Sequence, residues 1–231
     1  VDERGVFSFC MCPGGFVVPA STDASCLVVN GMSLKRRDSP FANSGLVVSV
    51  EVEDAARAGF TGPFALLDVQ ARIEAAALAA GGGKLRAPAV RVSDFVDDLH
   101  AVSAALPKTS YQPGLQGADV ARVLDASGVP LAPKLQAALV AFGKQLHGYV
   151  SDDAVLIGVE TRTSAPIRIP RDDVTLQSPD VAGLFPAGEG AGYAGGIVSA
   201  ALDGIRIARA IAGSTAAGRT AAATAASAAR G

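Results

Sequence analysis

The segment Leu184–Ala212, LFPAGEGAGYAGGIVSAALDGIRIARAIA, decides the fold prediction. Its apolar start predicts a short strand, its glycine cluster predicts a tight turn, and its second half predicts an amphipathic helix. Gly190, Gly192 and Gly195 match the spacing G-x-G-x-x-G, which lets backbone approach a phosphate or a flat cofactor. A first βαβ unit would continue into a second strand, whereas this helix leads into an alanine-rich tail. The segment therefore does not open a Rossmann fold.

Two interpretations of this glycine turn, residues 188–196, remain open. The N–H groups at the start of a helix bind anions, and Gly195 and Gly196 remove side chains from that start. Glu189 follows the predicted strand directly, between Gly188 and Gly190. The alternative is a turn that only lets the helix pack closely against a neighbour. The spacing favours a ligand.

The composition predicts a globular protein and excludes two classes of partner. The chain has 231 residues, of which 49% are hydrophobic and 18% are charged, enough to bury a sizeable core. Twenty basic residues are offset by 22 acidic ones without a dense basic block, which argues against nucleic-acid binding. The longest uncharged apolar stretch, 190–202, is too short to cross a membrane. We therefore expect a soluble, cytoplasmic protein with no nucleic-acid and no membrane partner.

The cysteines and the first residue of the chain add two expectations. Cys10, Cys12 and Cys26 are an odd number in a chain that is long enough to fold without disulfides, which predicts a reducing compartment. The first residue, Val1, is not methionine, so we expect a portion of a longer protein.

Four zones follow from the pattern of residues. Residues 1–53 are β-rich, and the alternation through Val48, Val50 and Val52 predicts a half-exposed strand. Residues 54–150 are mainly helical and predict an inserted substrate or cap domain. Residues 151–212 return to strands and a final helix. Residues 213–231 lack large apolar side chains, which predicts disorder, with an alanine helix as the alternative.

Within these zones the apolar spacing predicts individual elements. Ser93 is the predicted N-cap of a helix that begins at Asp94 and whose apolar stripe reaches Leu106. The other predicted helices lie near 63–80, 120–124 and 131–146, and the late strands near 154–161, 165–170, 174–176 and 181–187.

Four motifs in this order resemble a known family. They are FSFCMCPGG, NGMS with RDSPFANSGLVVSV, VETRTSAPIRI, and GLFPAGEGAGYAGGIVSAALDG. Together they are similar to the C-terminal half of a poorly characterised family of FAD-dependent dehydrogenases and, more distantly, to a second flavoprotein family with a G-E…G-G ending. The resemblance implies an α/β fold: the C-terminal part of a two-segment Rossmann-like FAD-binding fold, with a mainly helical inserted domain. The N-terminal βαβ unit that would hold the FAD adenosine and pyrophosphate is missing from this sequence.

The resemblance also implies the cofactor and its contacts. FAD is the expected cofactor, and an N-terminal FAD-binding half, on the same or a separate chain, is the expected partner. Glu189 would hydrogen-bond the ribityl chain or a nearby phosphate, and Gly195, Gly196 and Ile197 would lie beside the flavin pyrimidine edge. A helix N-terminus there would stabilise the negative charge of reduced flavin. The expected cofactor-binding residues are Gly188, Glu189, Gly190, Gly192, Tyr193, Gly195, Gly196 and Ile197.

The catalytic candidates each have two interpretations. Arg162 and Ser164 could bind an anionic substrate or a flavin oxygen, but Arg162 could equally pair with Glu160 or another surface acid. Cys12 could be a thiol beside the flavin, although an inert cysteine is favoured. No cysteine or histidine pattern has the spacing of a zinc site, so no metal is expected. Neither His100 nor His147 is a convincing general base.

The resulting functional hypothesis is an FAD-dependent oxidoreductase that transfers a hydride between a small organic substrate and the flavin. One alternative is a non-catalytic cap or interaction module that needs a separate FAD-binding half. A weaker alternative is a flavin-dependent enzyme that modifies RNA, which the absence of a basic patch disfavours.

Overall fold

The chain divides into two compact units, Val1–Arg162 and Thr163–Gly231. The computed structural model describes residues 5–99 and 105–228, and side chains as far as residue 213. It is a mixed α/β structure, as expected, and its sheets are small. The four zones above are divisions by composition, whereas the boundary between the two units lies between residues 162 and 163.

The first unit begins with two antiparallel strand pairs. Strand β1 (Val6–Pro13) pairs with β4 (Ala42–Val48), and β2 (Phe16–Pro19) pairs with β3 (Val29–Met32). The β1–β4 register shifts between Phe9 and Cys12, which is a bulge, and Cys10 has a left-handed φ of 49° there. The β-rich character predicted for this region is confirmed as far as Val48.

The prediction that the strand continues to Glu53 is wrong, because helix α1 (Val52–Arg57) begins at Val52. The Glu51 N–H donates to the Asp54 carboxylate at 2.9 Å, which closes a capping box at the helix start. Helix α2 (Ala65–Ala80) follows, and its predicted stripe is confirmed, since Val69, Ile73 and Ala77 are buried. The capping box outweighs the alternation of valines because it satisfies N–H groups that the start of a helix leaves open.

A three-stranded sheet comes next. Strand β5 (Ala87–Arg91) lies in its centre, parallel to β6 (Leu115–Gly117) and antiparallel to β7 (Val155–Ile157). Helix α3 (Val92–Val96) follows β5 directly. The described part of this unit has three further helical segments, α4 (Val120–Leu124), a 3-10 turn (Asp125–Ser127) and α5 (Ala132–Gln145), and they confirm the predictions for 120–124 and 131–146.

The prediction of a helix from Asp94 to Leu106 is wrong in the length and in the N-cap, because α3 ends at Val96. The N-cap is Arg91, and the Ser93 hydroxyl donates to Asp152 instead. Asp98 adopts a left-handed φ of 54°, while Leu99 N–H donates to the Asp94 carbonyl and Asp98 N–H to the Phe95 carbonyl. This Schellman pattern ends the helix one turn after it starts. Residues 100–104, which include His100, lie outside the described residues.

Two apolar clusters form the core of the first unit. One joins α2 to residues far along the chain, including Leu27, Val129 and Val159, and the other joins β5 and α3 to α5 through Phe95 and Leu139. The first cluster combines residues from the β-rich start, the helical middle and the segment after residue 150. Packing therefore unites in one unit what the composition divides.

The second unit is a looped segment followed by helix α6 (Ile197–Ala228). Within its described residues the strands predicted at 165–170, 174–176 and 181–187 are absent. The Asp172 carboxylate accepts the Val174 and Thr175 N–H groups, and Ser178 N–H donates to the Leu184 carbonyl, so the chain turns where the apolar pattern predicts strands. The backbone of 213–228 is helical, which is the alternative to the predicted disorder, and 229–231 lie outside the described residues.

Candidate functional site

A buried ion pair holds the glycine turn of the second unit. The Arg171 guanidinium donates to both carboxylate oxygens of Asp203, at 2.9 and 2.7 Å, and the two side chains are 4% and 7% exposed. Asp203 also accepts the Gly188 N–H at 2.8 Å, and Arg171 donates to the Pro186 carbonyl at 2.8 Å. Asp203 lies on α6 and Arg171 in the loop before the turn, so this network fixes the turn to the helix that follows it.

The charges of this pair reinforce each other. The hydrogen bonds from Arg171, with smaller help from the Gly188 N–H and from nearby arginine charge, lower the pKa of Asp203 to about 2. The same bond raises the pKa of Arg171 above its ordinary value. Both groups are therefore charged at neutral pH.

Tyr193 is the aromatic residue of the turn. The guanidinium carbons of Arg171 and Arg168 lie 3.5 and 4.3 Å from its ring centroid, which is cation–π geometry. Its hydroxyl donates to the Ile169 carbonyl at 2.9 Å, and its N–H to the Gly188 carbonyl. Tyr193 thus stabilises the turn, and its hydroxyl bonds to the loop that precedes the turn.

The glycines of the turn fall into two groups. Gly188 and Gly192 have left-handed φ values of 71° and 82°, and a Cβ at Gly192 would lie 2.7 Å from the Ile167 carbonyl oxygen. These two are required by the backbone itself. Gly190, Gly195 and Gly196 do not have positive φ, and a Cβ on any of them would meet no atom within 4 Å. The fold of this chain does not explain the absence of side chains at those three positions.

The start of α6 is open in the same way. Ser199 accepts the Gly195 N–H and donates to the Gly196 carbonyl. As in any α-helix, the first N–H groups of α6 have no intrahelical acceptors. Ile197 is 92% exposed, and Glu189 is half-buried. Backbone N–H groups, a helix dipole and bare glycines thus lie along one short stretch, which fits the phosphate or the polar edge of a flavin.

The exposed face of α6 starts with apolar side chains and continues with Arg206 and Arg209. Val198, Leu202 and Ile205 fall on one face of the helix and are each about half or more exposed, while Asp203 and Ile207 on the other side are buried. An apolar helix face of this kind is typical of an interaction surface.

Arg162 forms a network of hydrogen bonds within the first unit. Its guanidinium donates to both oxygens of the buried Glu74, at 2.9 and 2.7 Å, to the Thr22 hydroxyl at 2.7 Å and to the Cys26 sulfur at 3.4 Å. Of the two interpretations of Arg162, the structure shows the ion pair, with Glu74 rather than Glu160 as the acid. The bonds to Glu74 raise the pKa of Arg162 above its ordinary value.

The other two catalytic candidates, Ser164 and Cys12, belong to different units. Ser164 is exposed near the start of the second unit. The half-buried Cys12 follows the β1 bulge, and its thiol donates to the Cys10 carbonyl at 3.2 Å. Cys12 is opposite Asn43 in the strand register, and among the described residues no partner is found for the buried amide atoms of Asn43. Cys10, Cys12 and Cys26 are all free thiols.

Sequence reasoning missed Arg171 and Asp203. One signal could have found the acid: Asp203 is four residues before the buried Ile207, so the two lie on the same face of α6. An acid on a buried helix face needs a cationic partner. Within the described residues no group of three metal-ligating side chains occurs, and no helix of that part of the chain is long and apolar enough to cross a membrane.

Comparison with known proteins now adds the family. This chain is 44% identical to an uncharacterized protein of Clostridium beijerinckii over 208 residues, which are 89% of this chain. The chain spans only 37% of that relative's length. Residues 1–163, which coincide with the first unit, match a family described as "FAD-dependent protein, C-terminal domain-like". A C-terminal domain of this kind implies an FAD-binding part, attached or separate. The chain belongs to this family of FAD-dependent proteins, and FAD is its cofactor.

Proposed function

We propose that this chain is the C-terminal part of an FAD-dependent oxidoreductase and that its glycine turn contacts the flavin cofactor. The observation that carries this proposal is the open backbone at Gly190, Gly195 and Gly196, where the fold has room for a Cβ. A cofactor that lies against the backbone would account for all three glycines. When bound, FAD would supply the hydride and electron chemistry of the reaction.

Each residue of the turn has a role in this proposal. Glu189 accepts hydrogen bonds from ribityl hydroxyls, the backbone of Gly195 lies beside the flavin, and the N–H groups of Gly196 and Ile197 face a polar edge of the flavin. Arg171 and Asp203 are positioning residues, because they hold the turn without belonging to its open surface. Arg162, Ser164 and Cys12 remain the candidates for contact with a small organic substrate.

The exposed face of α6 is the proposed docking surface for the FAD-binding part. More than half of the Clostridium beijerinckii relative lies outside the matched region, which is sufficient chain for such a part. Val198, Leu202 and Ile205 would be covered by it, and the glycine turn would then face the cofactor. Leu202→Glu should lower flavin content without changing the fold of this chain, and Leu202→Met should preserve flavin content. Normal flavin content in Leu202→Glu would contradict the docking surface.

Alanine scanning of the open glycines tests the cofactor contact. In protein expressed from the complete reading frame, Gly190→Ala and Gly195→Ala should weaken FAD binding about tenfold or more, because each methyl would enter space that the cofactor fills. Gly204→Ala, at an open and exposed glycine further along α6, is the matched control and should leave flavin retention unchanged while it raises helix stability by about 0.5–1 kcal/mol. The readouts are the visible absorbance of bound flavin after dialysis and the unfolding midpoint. Wild-type flavin retention in both turn variants would refute the proposal.

A second candidate function has one observation in its favour. The family match ends at residue 163, before the glycine turn, so the first unit alone carries the family signature. This is consistent with a cap or interaction module that takes no part in the chemistry. Substrate reduction of the flavin that is unaffected by substitutions at Ser164 and Cys12 would favour that module.

A further inference from the structure

The first unit contains a pocket that the proposed function has not used. It has a volume of about 660 Å³ and lies between the loop before β4, the start of β5 and the segment that leads into β6. Phe41, Leu106 and Pro107 form its apolar part, and Arg86 and Lys108 its charged part. Pockets for small organic molecules have volumes of about 300–1,000 Å³ and combine apolar walls with a few polar groups.

The charge of this pocket has one sign. Among the described residues that line the pocket, Arg86 and Lys108 are the charged ones and none is acidic, although acidic residues outnumber basic ones in the chain as a whole. Arg86 donates to the Leu115 carbonyl at 2.8 Å, which orients the guanidinium along β6 and uses one of its five N–H groups. Two cations in one pocket lining attract an anionic group, and Arg in particular binds carboxylate and phosphate oxygens.

A constrained backbone positions Arg86. The two residues before it, Lys84 and Leu85, have left-handed φ values of 56° and 60°, which non-glycine residues rarely adopt. The buried Tyr111 holds this turn through a hydrogen bond from its hydroxyl to the Leu85 carbonyl at 2.6 Å. Gly81 is required beside it, because a Cβ there would overlap the Arg86 carbonyl. Backbone conformations of this kind persist where the surrounding structure enforces them, and they occur frequently at ligand sites.

We propose that this pocket binds a small organic anion with an apolar or aromatic body. The anionic group lies against Arg86 and Lys108, and the body lies against Phe41, Leu106 and Pro107. The inference rests on the proposed function only in one respect, the assignment of this anion as the substrate of the flavoprotein. Anion binding itself depends on the first unit alone.

The test uses 4-fluorobenzoate as a probe, with the protein expressed from its complete reading frame. Fluorine NMR should show saturable line broadening of the probe, and the neutral 4-fluorobenzamide should bind at least about tenfold more weakly. Arg86→Gln and Lys108→Gln should each weaken probe binding about tenfold. Arg122→Gln and Lys144→Gln remove exposed charges outside the pocket and should leave it unchanged.

Three results would overturn the proposal. They are equal binding of the acid and the amide, unchanged binding in both pocket variants, and displacement of the probe by added FAD, which would assign the pocket to the cofactor. Probe binding that follows this pattern in a protein without flavin would support the anion pocket and contradict the proposed function. The two proposals can therefore fail separately.

Discussion

Replacing Asp203 by asparagine tests whether the buried ion pair organises the second unit. Asparagine preserves the shape of the side chain and can still accept the Gly188 N–H, but it leaves the Arg171 guanidinium buried without a counter-charge. Removing one partner of a buried pair costs about 3–5 kcal/mol, because the remaining charge is desolvated without compensation. Since Arg171 is 4% exposed, we expect a loss within this range.

Hydrogen exchange measured residue by residue gives the clearest assay. Because the unpaired Arg171 destabilises the second unit, that unit should open more often, and the amides of Gly188 and Tyr193 should lose protection strongly in Asp203→Asn. The first unit should exchange as in the wild type. Asp180→Asn is the matched control, since Asp180 is an exposed acid of the same unit. A stability loss below about 1 kcal/mol with normal Gly188 protection would refute the assigned role of the pair.

The same carboxylate predicts a pH dependence. Folding lowers the pKa of Asp203 from its ordinary value of 3.8 to about 2, so between these values the unfolded chain binds more protons than the folded one. The stabilisation is therefore complete above about pH 4 and is lost as the pH falls towards 2. Amide protection of the glycine turn should follow this profile in the wild type and become flatter in Asp203→Asn.

Three further variants test other parts of the fold. Arg162→Met should destabilise the first unit by about 3 kcal/mol in denaturant unfolding, because it leaves the 3%-exposed Glu74 unpaired, and Arg72→Met on the exposed side of α2 should cost little. Gly192→Ala should destabilise the glycine turn by more than about 1 kcal/mol, because its φ is left-handed and the new methyl would meet a carbonyl oxygen, and a normal melting curve would contradict this. Tyr111→Phe should cost about 1 kcal/mol and weaken 4-fluorobenzoate binding, and unchanged values for both would show that the hydroxyl does not hold the pocket.

Long periodic helices could be predicted from the sequence because their signal is local. The stripe of α2 through Val69, Ile73 and Ala77 and the span of α5 agree with the structure. The helix end at Asp98 could not be predicted from apolar spacing, since it depends on a left-handed aspartate where glycine is the usual residue. The strand predicted through Val52 was wrong because a capping box of two acidic residues competes with the alternation.

The candidate site shows the same limit at longer range. The glycine turn could be predicted because its residues are consecutive, but the residues that hold it could not be predicted. Arg171 and Asp203 are 32 residues apart, and Glu74 and Arg162 are 88 apart, so only the fold brings each pair together. Both interpretations of Arg162 were consistent with the sequence, and only the fold shows that the buried Glu74 on α2 is the acid with which Arg162 pairs.

The Arg171–Asp203 pair also allows stability to be separated from positioning. A buried pair replaced as a whole by apolar residues often costs nothing or even stabilises a protein, because two desolvated charges are removed together. Arg171→Met with Asp203→Leu should therefore unfold within about 1 kcal/mol of the wild type. It nevertheless lacks the acceptor for the Gly188 N–H and the donor to the Pro186 carbonyl, so the turn loses its anchor to α6. We expect this double variant to fold normally and to retain less FAD than the wild type. Normal flavin retention would show that the pair stabilises the unit without positioning the cofactor site.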